Sequence, residues 1–170
     1  MLWASRAILA TLLLSWAVLP RPLSALAERG KPDADFGSIT TTPRHCSLAR
    51  NGSEQGCTTV QLTQRGNAGL RIRFIGSGAQ PGSSKWITFI ARHRQGIRAL
   101  SCNKGSCEQA VQHWSADVIS ASIANFDDRG LPVGLPDTSP MDGECQIERQ
   151  RIQCVSRSNN GLSLRAVARL

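Results

Sequence analysis

Six cysteines fall as three close pairs, Cys46/Cys57, Cys102/Cys107 and Cys145/Cys154, and each pair brackets a plausible turn. Thiols in close pairs oxidise to disulfides, hold a metal ion as thiolates, or cycle as a redox couple. The spacings are not the short Cys-x-x-Cys knuckles of zinc sites, so no metal is assigned. Cys102/Cys107 is the only spacing suited to a redox couple, and the strand-like runs on either side favour a structural staple there. The midpoints of the pairs are Asn51-Gly52, Lys104-Gly105 and Arg149-Gln150. Asn-Gly is the best short hairpin turn available, whereas Arg-Gln is poor turn chemistry. Six cysteines allow many connectivities, and the symmetry of each pair about a turn selects the local one: Cys46–Cys57, Cys102–Cys107 and Cys145–Cys154.

The third pair carries an internal check. If Cys145 faces Cys154 across a hairpin, Ile147 opposes Ile152 on the same face. Gln146 then opposes Gln153, and Glu148 opposes Arg151, on the other face. Cross-strand pairs of this kind stabilise a sheet, and a one-residue slip would spoil all of them.

Arginine is the second residue type with chemistry to offer. Arg92, Arg94 and Arg98 surround a Gln95-Gly96 turn, Arg71 and Arg73 share one face of a strand, and Arg149 and Arg151 sit at a hairpin tip. If these tips cluster, Arg71, Arg73, Arg92, Arg94 and Arg98 form an anion-binding patch, because guanidinium offers a planar fork of donors. The plainer reading is a solvated surface whose charges deter edge pairing. No run of aromatic residues interleaves with the arginines, so nucleic acid is not the expected partner. An acidic polysaccharide, a lipid headgroup or an acidic protein fits better. Trp86 lies in the most apolar run and is expected in the core. Trp114, at a strand end, is expected to pack rather than to stack on a ligand.

Little points to catalysis, and the catalytic residues, if any, are unknown. His45, His93 and His113 are dispersed, and neither a Gly-x-Ser-x-Gly nor a His-Glu-x-x-His motif occurs. The neighbouring arginines are expected to lower the His93 pKa. The acids of Asp127–Glu144 lack EF-hand spacing, so neither calcium nor any other cofactor is assigned. That stretch reads as a long loop, and loops of this length are often functional. Its repeated Gly-Leu-Pro would present Leu131, Pro132, Leu135 and Pro136 to a partner. The rival reading packs Leu131, Val133 and Leu135 on the core.

The surrounding elements set the context. Met1–Ala27 reads as a secretory signal: one early cation, an apolar run from Ala7 to Leu19, then Ala25-Leu26-Ala27 for cleavage. That run is too short to span a bilayer, so the processed chain is not expected to cross one. The protein is expected to be secreted or periplasmic. The chain carries 20 Lys+Arg and 12 Asp+Glu for a net of +8; Arg6 and Arg21 leave with the signal, so the mature net is +6. Residues 28–45, with little apolar content, read as a flexible tail, and 46–170 as one disulfide-stapled domain. Leu70, Ile72 and Phe74 alternate with Arg71 and Arg73, Lys85–Ala91 is apolar on both faces, and Val118–Phe126 is rich in β-branched and small residues. Leu162, Leu164, Ala166 and Ala168 alternate with Ser163, Arg165, Val167 and Arg169. Ala110–Ser120 has room for a helical turn. Asn51-Gly52-Ser53 is an N-glycosylation sequon, relevant only in a eukaryotic source.

The expected architecture is all-β: a single small antiparallel sandwich or barrel of about eight or nine short strands, with a disordered N-terminal tail. The expected function is a non-catalytic secreted or periplasmic binding module for an anionic or proteinaceous surface partner. The alternatives are a disulfide-stapled inhibitor acting through residues 131–136 and a secreted hydrolase.

Overall fold

The computed structural model describes residues 36–66, 69–93, 98–110 and 112–170. The expected signal segment, Arg94 and the Gln95-Gly96 turn lie outside the described residues. Among the described residues twelve strands form: β1 Phe36–Thr41, β2 His45–Arg50, β3 Ser53–Gly56, β4 Thr59–Arg65, β5 Leu70–Ser77 and β6 Ser84–His93. They continue with β7 Leu100–Asn103, β8 Gly105–Gln109, β9 His113–Phe126, β10 Asp137–Glu148, β11 Arg151–Arg157 and β12 Ser163–Arg169. All twelve belong to one sheet, ordered β3-β2-β12-β11-β10-β9-β6-β5-β4-β1-β8-β7. Every pairing is antiparallel except β1 with β8, which is parallel.

The all-β class and the three local disulfides are as expected. The small antiparallel sandwich or barrel is corrected to a single, larger mixed sheet. Two segments that read as tail or loop account for much of the difference. Phe36–Thr41, placed in the tail, is a strand because β4 offers it a full ladder, Phe36 opposite Arg65 through Thr41 opposite Val60. The described sheet therefore begins at Phe36 rather than near Cys46. Asp137–Glu144, read as loop, is the first part of β10, laddered against the long β9 with one register shift between Pro140 and Gly143. That irregularity accommodates a proline, which cannot donate to the ladder. Of the stretch with room for a helical turn, residues 113–120 are instead the start of β9.

Period-two alternation puts one apolar set on one face. Leu48, Leu70, Ile72, Phe74, Ile87, Phe89, Ile147, Ile152 and Leu164 are all essentially sealed from solvent. Phe74 and Phe89 meet edge to face, with ring centroids 6.0 Å apart. Each such side chain contributes about 1.5–3 kcal/mol on burial, so a core of this extent is the main stabilising term. Among the described residues no helix covers that face, so the sheet covers itself. A Cβ on Gly76 of β5 would lie 2.6 Å from the Gly56 carbonyl oxygen of β3, and Leu48 of β2 shares a small cavity with Ile87 of β6. Arg50 reaches Asp137 at 3.7 Å. The β2–β3 end of the sheet thus folds over β5, β6 and β10.

The register of the β10–β11 hairpin is the one the cysteines imply: Cys145 opposite Cys154, Ile147 opposite Ile152, Glu148 opposite Arg151. Asn51-Gly52 and Lys104-Gly105 both adopt positive φ, 49° and 82°, 50° and 86°, as primed two-residue turns require. Arg149 also takes a positive φ, 49°, without glycine's freedom. Gly37 has a steric role. A Cβ there would lie 2.5 Å from Cys107 Sγ and 2.8 Å from the Gly105 carbonyl oxygen, so glycine is what lets β8 and its disulfide lie against β1.

Candidate functional site

The outward face of β11, β12 and β2 carries a row of cations in register. Inward positions on β12 are Leu164, Ala166 and Ala168, which leaves Ser163, Arg165, Val167 and Arg169 outward. The same alternation turns Arg151 of β11 and His45 of β2 outward. Arg169 stands directly opposite Arg151 on one side and His45 on the other. Directly opposed like charges destabilise a sheet, so this row costs stability. Arg165 lies on the same strand face, opposite Val155 and Ala49. Glu148 is opposite Arg151 on its far side, and Arg157 faces Asp142. The register therefore gives the β11 arginines acidic partners on β10 and sets none directly opposite Arg165 or Arg169.

Two adjoining depressions cover this surface and share His45, Arg151 and Arg169. Arg44 lines one; Arg165, Ser163 and Glu54 line the other. Arg151 Nη2 donates to Gln153 Oε1 at 2.7 Å, which holds its guanidinium along the strand. The residue types His45, Ser47 and Glu54 here are those of a hydrolase, but the spacing is wrong. Glu54 opposes Ala49, four residues beyond His45, about 13 Å along the strand. What the surface offers is a broad, open, cationic strip of guanidinium donors, suited to an extended anion more than to an enclosed small one.

The arginines singled out by sequence are divided. Arg71 and Arg73 are outward on β5, and Arg92 is outward on β6, opposite Asp117. Arg73 donates to Gln61 Oε1 at 3.1 Å and Thr88 Oγ1 at 3.4 Å, and its guanidinium carbon lies 4.4 Å from the Trp86 ring centroid. Burial, and then the neighbouring Arg71, lower its pKa. This arginine is committed to structure. Trp86, expected in the core, lies partly exposed on the outer face and stacks on Phe126 with centroids 3.9 Å apart.

Arg98 acts on a different group. His93 points inward, where its Nδ1 accepts the Trp114 indole N–H at 3.2 Å; Trp114 is buried, as its packing role requires. The His93 pKa is lowered, first by burial and then by Arg98. The direction matches the sequence reading, but burial leads.

The loop candidates are exposed. The described loop runs from Asp127 to Pro136 between β9 and β10, with Leu131, Val133 and Leu135 at 53%, 58% and 95% exposure. They do not pack on the core. Among the described residues no three His, Cys, Asp or Glu side chains converge as a metal site, and no helix is long and apolar enough to cross a membrane.

The cationic row on β11, β12 and β2 was missed by sequence reasoning, although half its signal was available. Alternation already set Arg165 and Arg169 on one face, and Arg151 was already assigned an outward position. The missing half was the pairing of β12 with β2, which joins the two ends of the domain. Comparison with known proteins gives no match, whether by family model, by curated sequence or by solved structure.

Proposed function

We propose that this protein is a non-catalytic, secreted or periplasmic binding module that holds a linear polyanion, such as an acidic polysaccharide, along its cationic sheet face. The observation that carries this reading is the placement of Arg169 directly between Arg151 and His45. Opposed cations cost folding energy in the free protein, and a bound anion relieves that cost. Arg165 extends the strip along the strand, so successive acidic groups of one chain meet successive cations. Three disulfides suit an oxidising compartment.

The experiment is salt-gradient elution from an immobilised sulfated polysaccharide, compared with a plain cation exchanger of matched charge. The Arg151→Ala/Arg169→Ala variant runs beside the native protein. Selective retention on the polysaccharide, lost in the variant, supports the reading. Equal retention on both supports removes it.

A further inference from the structure

A second surface, on the loop between β9 and β10, concentrates apolar side chains. Single exposed aliphatic residues are ordinary, but Leu131, Val133 and Leu135 project together from one short loop. Open space surrounds Gly130 and Gly134, so the loop stands clear of the sheet and is placed to enter something rather than to enclose it.

Its backbone is held from within. Asp127 Oδ1 accepts the Arg129 and Leu131 N–H groups at 3.0 and 2.8 Å, and the Arg129 guanidinium closes on Oδ2 at 3.0 Å. Asp127 N–H donates to the Leu131 carbonyl at 2.9 Å, Gly130 N–H to the Asp127 carbonyl at 3.1 Å, and Val133 N–H to the Asn125 carbonyl at 2.8 Å. Pro132 has no N–H. From Arg129 to Val133, every backbone donor is either bonded inside the protein or absent. A loop that adds itself to a protein cleft through main-chain hydrogen bonds needs those donors free. A loop that enters lipid needs the donors of its inserted turn satisfied, and Leu131–Val133 meets that need.

The base of the loop fits the same environment. Phe126 pairs with Pro132 and carries Trp86 stacked on its ring, with the indole N–H donated to Ser84 Oγ at 3.1 Å. Aromatic side chains with one polar end favour the membrane–water boundary. Among the neighbouring acids, Asp127 is bridged to Arg129 and Asp137 to Arg50. Arg73, over the Trp86 ring, and Lys85, opposite Asn125, add two further cations beside the base of the loop, where Asp128 adds one acid. The collar is net positive, complementary to anionic headgroups.

We infer that Leu131–Leu135 is an interfacial anchor that inserts its three aliphatic side chains at the headgroup–acyl boundary of an anionic lipid bilayer. This surface and the polyanion strip are separate, so either can stand without the other.

The test is sedimentation of the exported, processed protein with vesicles of phosphatidylcholine alone and of phosphatidylcholine mixed with phosphatidylglycerol. Leu131→Ser/Val133→Ser/Leu135→Ser removes only exposed groups and leaves the core intact. Its circular dichroism and thermal midpoint check that it folds. Leu135→Trp reports depth through its emission and through quenching by brominated lipid. The expected result is binding to the mixed vesicles, a blue shift at Leu135→Trp, and a loss on the order of tenfold in partitioning per aliphatic residue removed. The inference is overturned if the triple-serine variant binds as well as the native protein. It is equally overturned if binding is lost instead in Arg151→Ala/Arg169→Ala, which assigns the vesicles to the cationic strip. No vesicle binding, with a Leu135→Trp emission that stays aqueous, overturns it too and makes the loop a wedge for a protein cleft.

Discussion

The carboxamide of Gln64 grips both backbone groups of Leu100: Nε2 donates to its carbonyl at 3.0 Å, and Oε1 accepts its N–H at 3.1 Å. Gln64 is fully buried on β4, and Leu100 opens β7, the last strand of the sheet. The side chain therefore supplies what a neighbouring strand would supply, and it closes an edge that is otherwise a template for association. Gln64→Leu keeps the volume but strands one buried donor and one acceptor. It is expected to cost about 2–6 kcal/mol, at about 1–3 kcal/mol for each orphaned group. Denaturant unfolding reads the loss, and light scattering is expected to show new self-association. An unchanged midpoint would mean that water satisfies Leu100 equally well.

Gly37→Ala tests the contact between β1 and the Cys102–Cys107 staple. Its Cβ would lie within 2.8 Å of both Cys107 Sγ and the Gly105 carbonyl, so β8 must retreat. Overpacking of this kind costs about 1–3 kcal/mol. Amide exchange on β7 and β8 is expected to quicken selectively, and uniform exchange would contradict the account.

The His93–Trp114 pair gives a pH dependence of defined sign. Burial and Arg98 lower the folded His93 pKa from its ordinary value of 6.5, so the unfolded chain takes up the proton first. Stability is then complete above about pH 6.5 and falls as the pH drops from there toward the folded pKa. A proton on Nδ1 would also displace the indole N–H bond. His93→Gln is expected to flatten this acid limb of the unfolding midpoint. A limb of unchanged steepness would place the titration elsewhere.

The parts legible in the sequence were those decided by near neighbours. The Cys145–Cys154 hairpin was readable to the residue because Ile147/Ile152 and Glu148/Arg151 reinforce one register across a two-residue turn. Phe36–Thr41 was not readable. It offers Gly37 and the partly buried Ile39 to the inside and is a strand only because β4 and β8 flank it. Asp137–Gly143 buries Met141 and little else, and it follows β9 rather than any pattern of its own. Trp86 was placed in the core because Lys85–Ala91 is apolar on both faces. The outer set, Trp86 and Ile90, is in fact only partly covered, by Arg73 and Phe126 in the case of Trp86. The cationic row was hidden for a related reason. Arg151, Arg169 and His45 meet only once the last strand pairs with the second, and no local rule predicts that pairing.

The row also predicts a trade between stability and binding. Arg169→Thr removes a cation set directly opposite Arg151 and places a β-branched residue on a strand, which favours the fold. It is expected to raise stability by about 0.2–1 kcal/mol while weakening retention on a sulfated polysaccharide. Arg73→Ala is the converse control. It loses the Trp86 contact and is expected to lower stability by about 0.5–2 kcal/mol, with retention little changed. If Arg73→Ala weakens retention more than Arg169→Thr, the binding face lies on β5.

The measurement that bears most directly on the central claim is the salt concentration at which the oxidised protein leaves immobilised heparin, relative to a plain cation exchanger. Native protein is compared with Arg151→Ala/Arg169→Ala and with Arg71→Ala/Arg92→Ala, which remove equal charge. The account predicts later elution of native protein from heparin than from the exchanger, a difference abolished in the first variant and kept in the second. Equal losses in both variants would show that net charge alone holds the protein, and the cationic row would then be only a solvated surface.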